Sequence, residues 1–117
     1  MGVGWRLAAA GCAVDLFERD KVGKSASWAA AGMLAANVEA ESGEEILLAL
    51  DLESQRQWPA FATELSAHTG IDLGYRDEGT IVVAIDRDDA EALRFTYDYQ
   101  KTQGLDIEWM TGGQARR

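Results

Sequence analysis

Glu18 closes a short apolar run, Ala13-Val14-Asp15-Leu16-Phe17, with the length and period of a buried strand. A helical pattern precedes that run. A carboxylate at such a strand end is how a dinucleotide-binding unit offers an acceptor to a ribose hydroxyl. Position alone leaves an exposed strand-end acid equally open. The following segment, Ser25-Ala26-Ser27-Trp28-Ala29-Ala30-Ala31-Gly32-Met33-Leu34, is rich in small residues. Small side chains leave backbone N–H groups accessible, and a pyrophosphate needs them. Taken without context, the same letters also spell a capped alanine-rich helix with a core methionine. Cys12 is the single cysteine, which leaves no intrachain disulfide and no cysteine-based metal site. His68 is the single histidine. It falls where a helix should end, a place where a cation suits the dipole, so a structural role is favoured over catalysis. No catalytic side chain and no metal ligand is nominated.

The elements that would position these residues follow from periodicity. Residues 2–10 form the tail of a helix that Gly11 stops, and a strand over 13–17 follows at once, a short connection of doubly wound type. Residues 27–34 should make a short helical turn capped by Ser25 or Ser27. A helix is expected over 45–68, with Ile46, Leu47, Leu50, Trp58, Phe61 and Leu65 on one buried face. Pro59 either kinks it or opens a second helix. The run 80–85, dense in β-branched residues, reads as a strand. An acidic turn at Asp86-Arg87-Asp88-Asp89 starts a helix through Gln103, closed by Gly104. Residues 105–110 make another strand, and Thr111 caps a further helix. Tyr75, Val82, Val83 and Trp109 are assigned to the core, whereas Tyr97 and Tyr99 cover a polar helix.

At 117 residues the chain has material for one small core. A hydrophobic share of 47% argues against disorder. The net charge of −9 argues against nucleic acid or an anionic membrane as partner, although acidity of this kind also serves solubility. The small residues before Cys12 suggest a lipoprotein signal, but the apolar stretch falls short of the roughly 7–15 residues such a core needs. No run approaches the roughly 18 apolar residues of a membrane span. The cytoplasm is the default location.

Several pieces in order resemble FAD-dependent amino-acid and amine oxidases of the D-amino-acid oxidase family, above all the glycine oxidases of thiamine biosynthesis. They are Gly4-Trp5-Arg6-Leu7-Ala8, Asp15-Leu16-Phe17-Glu18, Ser27-Trp28-Ala29-Ala30-Ala31-Gly32-Met33-Leu34 and Tyr75-Arg76-Asp77-Glu78-Gly79-Thr80-Ile81 with Val83-Ala84. The resemblance implies an α/β chain: a partial FAD-binding Rossmann-like unit of glutathione-reductase type lacking its first strand, plus the start of an α+β substrate domain. Residues 1–45 would be the partial FAD-binding domain. Residues 46–117 would be a helical connection and the first part of the substrate domain. The family's Gly-x-Gly-x-x-Gly turn would lie just before Met1, which sets Glu18 at about the 20-residue spacing of the fingerprint. Gly2 and Gly4 would lie within the helix after that turn. The substrate-gripping residues would lie beyond Arg117, so an N-terminally clipped front portion of a larger enzyme is expected.

Carried over residue by residue, the resemblance gives Glu18 the adenosine ribose and places Arg19 near the adenine. It sets Ser25, Ala26 and Ser27 on the pyrophosphate, and Ala31, Gly32 and Met33 beside the isoalloxazine ring. Met33 and Glu39 would be substrate-proximal. The cofactor implied is FAD, which carries the hard step and accounts for the absence of an acid–base pair. The implied activity is oxidation of glycine or small D-amino acids or amines to the imine or 2-oxo acid, with hydrogen peroxide released. An intact relative is expected to be a homo-oligomer. The competing readings are a catalytically inactive fragment or non-catalytic module and, within the superfamily, a D-amino-acid dehydrogenase or sarcosine oxidase.

Overall fold

A computed structural model describes residues 1–116. Its regular elements are helical: α1 (Gly2–Ala9), α2 (Ala26–Ala29), α3 (Glu45–Thr69) and α4 (Arg87–Thr102). The chain divides into two compact units, one ending at Met33 and the other beginning at Leu34.

In the first unit α1 ends in a Schellman pair: the Gly11 N–H donates to the Ala8 carbonyl at 2.9 Å and the Cys12 N–H to the Leu7 carbonyl at 3.0 Å. The chain then returns across the helix at Gly4. Leu16 and Val14 side-chain atoms lie 3.4 and 3.5 Å from where a Cβ on Gly4 would stand. The contact of the returning chain with α1 is therefore at Gly4. No residue of this unit is buried, and Phe17 is 95% exposed.

The second unit holds a small core of Ala40, Leu48 and Leu105, with Leu52 and Ile107 packed against it. α3 is one continuous helix with Pro59 inside it, which decides between the two expectations for that residue. The Thr63 hydroxyl donates to the Pro59 carbonyl at 2.9 Å. The N-terminus of α3 is served by Glu45, whose carboxylate accepts the Gly43 N–H at 3.1 Å. α4 starts from a reciprocal cap. Asp86 accepts the Asp89 N–H at 2.9 Å, and the Asp89 carboxylate reaches back to the Ile85 N–H at 3.1 Å. It ends in a second Schellman pair, with Gly104 at φ +74°. The Leu105 N–H donates to the Gln100 carbonyl at 3.2 Å, and this turn drives Leu105 into the core. The Thr111–Gln114 pair forms a second reciprocal box, in which the Thr111 N–H donates to the Gln114 side-chain oxygen at 2.9 Å; it opens a turn, not a helix.

Two expectations are corrected. Among the described residues there is no strand and no sheet, so the α/β architecture, the Rossmann-like unit and the start of an α+β domain are not what the chain forms. The apolar runs 13–17, 80–85 and 105–110 carry strand propensity, but a strand exists only through a neighbour about 4.8 Å away. Each run goes elsewhere. Val14 and Leu16 lie on α1, Leu105 and Ile107 pack at the α3 core, and Val83 and Ile85 stay 69% and 90% exposed.

The buried stripe of α3 is also different. Leu48 and Ala62 are buried, whereas Ile46, Leu47 and Leu50 face outward, at 91%, 48% and 64% exposure. The partner chose the face: Ala40 and Leu105 approach Leu48 and Leu52, four residues apart on one side of the helix. Val82 and Trp109, assigned to the core, are exposed as well, though the Trp109 ring meets Tyr97 edge to face at 5.6 Å. Trp58 and Phe61 form a half-buried aromatic pair at 5.1 Å.

Candidate functional site

Glu18 follows the run that lies on α1, and the chain bends at once through Arg19 and Asp20. That bend exists because one Glu18 oxygen accepts the Asp20 N–H at 3.2 Å. The carboxylate is exposed, and its second oxygen is open to a donor. Arg19 is exposed beside it.

Ser25 immediately precedes α2, and its carbonyl accepts the Trp28 and Ala29 N–H groups at 3.0 and 3.3 Å. Its hydroxyl makes no capping bond and is exposed, as are Ala26 and Ser27. The Lys24 ammonium sits 3.1 Å from the centroid of the Trp28 ring and steadies this turn. The expected helix over 27–34 is shorter than its letters suggest, since Ala30 already turns extended at ψ 138°. Ala31, Gly32 and Met33 then run irregular and exposed. Gly32 has φ +80°, and nothing lies within 4 Å of where its Cβ would be. A non-glycine residue is strained there, and the backbone is open to close approach.

Ser25, Ala26 and Ser27 thus share one turn, whereas no hydrogen bond among the described residues joins them to Glu18 or Arg19. Glu39 belongs to the second unit. It ends a one-turn loop in which its N–H donates to the Ala35 carbonyl at 3.1 Å. The residues flanking it, Ala36 and Ala40, are buried at 7% and 4%, while Glu39 itself is exposed.

Side chains that sequence reasoning missed hold this loop. The amide of Gln100, 7% exposed, donates to the Asn37 carbonyl at 2.7 Å. The Tyr99 hydroxyl lies 2.9 Å from the Glu41 carbonyl and 3.3 Å from the Glu45 carboxylate. Nothing local marks either residue, because both partners are more than fifty positions away. The bonds have electrostatic consequences. Glu45 is held below the usual carboxylate range, first by its own backbone N–H and then by that of Gly43. Partial burial raises the Tyr99 phenol, and the Glu45 charge raises it further. His68 lies in the last turn of α3, with Nδ1 2.9 Å from the Glu64 carbonyl.

Among the described residues no group of His, Cys, Asp and Glu converges as a metal site, and no helix is long and apolar enough to cross a membrane. What the first unit offers is a carboxylate acceptor, exposed serine hydroxyls and an open glycine backbone. Those are donor and acceptor types that suit a nucleotide with sugar hydroxyls and phosphates.

The chain belongs to the FAD dependent oxidoreductase family (DAO), whose pattern it matches over residues 1–117. It is 37% identical over 113 residues to a glycine oxidase of Geobacillus kaustophilus (strain HTA426), covering 97% of this chain and 30% of the relative. It is 34% identical over 114 residues to a glycine oxidase of Bacillus licheniformis, covering 97% of this chain and 29% of that relative. The chain therefore spans about three tenths of the length of these curated relatives. No solved structure matches it.

Proposed function

We propose that this chain contributes the cofactor-facing front portion of an FAD-dependent oxidase. Its substrate would be glycine or another small amine or D-amino acid, converted to the imine or 2-oxo acid with hydrogen peroxide released, in the cytoplasm and in thiamine biosynthesis. The observation that carries the reading is the 37% identity to a glycine oxidase across 97% of the chain. The exposed polar groups of residues 18–33 support it by chemical type.

In this reading Glu18 accepts from the adenosine ribose with its second oxygen, while its first holds the bend at Asp20. Arg19 lies near the adenine. Ser25 and Ser27 donate to the pyrophosphate, and Ala26 keeps the backbone accessible. Ala31 and Gly32 let the main chain approach the ring, and Met33 gives it a soft apolar contact. FAD, when bound, supplies the two-electron acceptor. Met33 and Glu39 are the substrate-proximal residues of this reading.

Expression of the full reading frame that encodes this chain tests the proposal. The expected product is a yellow protein with flavin absorbance that releases peroxide on addition of glycine. A colourless product that takes up no FAD overturns it. Peroxide from sarcosine or D-alanine but not glycine moves the substrate to another member of the class. The 117-residue chain alone is expected to bind FAD weakly or not at all, since it covers only 30% of its relative. Stoichiometric binding in a fluorescence titration would refute that.

A further inference from the structure

The loop that carries Glu39 is pinned to α4 by contacts that the composition of neither segment explains. Burying a primary amide costs free energy unless it is hydrogen-bonded. Gln100 is nonetheless the one polar residue buried among those described, and its amide meets the Asn37 carbonyl at 2.7 Å. One residue earlier on α4, the Tyr99 hydroxyl reaches the Glu41 carbonyl at 2.9 Å. The two bonds bracket Glu39, two residues to either side. Ala36 and Ala40 are buried in the same loop, so its inner face is packed, while the Glu39 carboxylate is presented to solvent.

We infer that Gln100 and Tyr99 are positioning residues that fix the Glu39 loop. Resting on the function proposed above, they preorganise its carboxylate for the ammonium of a small amine substrate. Neither side chain touches substrate. Each acts by raising the fraction of molecules whose loop is already in the binding geometry, and apparent affinity scales with that fraction. The clamp therefore governs KM and leaves kcat and flavin content alone.

The test uses the full-length protein, three single variants and one double variant. Gln100→Met keeps side-chain length and removes the donor, Tyr99→Phe removes only a hydroxyl, and Glu39→Gln removes the carboxylate. Gln100→Met is expected to raise KM for glycine measurably, by up to about fivefold, the ceiling set by the equilibrium factor of one net hydrogen bond. FAD content and kcat should stay at the wild-type level, and backbone amides of residues 38–41 should exchange faster. Glu39→Gln should raise KM as well, and the Gln100→Met/Glu39→Gln double variant should do no more than Glu39→Gln alone. Additive KM effects, or exchange in residues 38–41 unchanged in both α4 variants, overturn the inference. If the wild-type enzyme neither holds FAD nor oxidises glycine, the functional proposal fails by that result. The exchange measurement still decides the clamp, and Tyr99→Phe keeps the test open should Gln100→Met not fold.

Discussion

Glu18 and Gly32 show how far single residues can be read. Their types were evident, and the structure adds that one Glu18 oxygen is already engaged at 3.2 Å, leaving the other open. Glu18→Ala in the full-length protein is expected to weaken FAD binding about tenfold, as befits a hydrogen bond to a charged acceptor; flavin release on dilution measures it. Gly32→Val, at φ +80°, should strain the backbone and hinder approach to the ring. Tyr99 and Glu45 set a pH window. Glu45 titrates lower in the folded chain than in the unfolded one, so its stabilisation is in place above the ordinary carboxylate value and is lost as pH falls through the depressed one. Tyr99 titrates higher, so its contribution is in place below the ordinary phenol value and is lost as pH rises through the raised one. Thermal melts across pH should show both limbs, and Tyr99→Phe should remove the alkaline limb.

The helices were the most legible elements because their ends are written in short-range chemistry. Asp86 and Asp89 cap α4 across three residues, and Gly11 and Gly104 terminate α1 and α4 within one turn. Asp86→Ala is expected to cost about 1 kcal/mol, read as a lower melting temperature. Gly104→Ala should cost about 1–2 kcal/mol from its φ of +74°. It would also loosen Leu105 from the core. The runs 13–17, 80–85 and 105–110 were misread as strands for the opposite reason: β propensity is local, but a ladder needs a second segment that no local pattern names. The α3 stripe failed similarly. Ile46, Leu47 and Leu50 are as apolar as Leu48 and Leu52, and only the approach of Ala40 and Leu105 selects between them.

Taken entire, the chain has little interior. The core of the second unit rests on Ala40, Leu48 and Leu105, no side chain among the described residues is below 2% exposure, and the first unit buries none. So small a core makes each member count. Leu48→Ala is expected to remove about 2–4 kcal/mol, a large share of the roughly 5–15 kcal/mol of an ordinary domain, and with so small a core to abolish the cooperative melt of the isolated chain. A sharp transition surviving that substitution would show that the stability lies elsewhere. The same economy explains why Gln100 and Tyr99 matter: with few apolar contacts, two long-range hydrogen bonds hold the 35–41 loop on α4.

Composition and short motifs were enough to establish the acidic charge, the lack of an intrachain disulfide, the acidic cap of α4, the glycine stops of α1 and α4 and the family kinship, because each rests on residue identity or on neighbours within one turn. Which face of α3 is buried, where the strand-like runs lie and what pins Glu39 depended on chain segments meeting in space. Packing free energy chooses such meetings globally, and no local pattern encodes them.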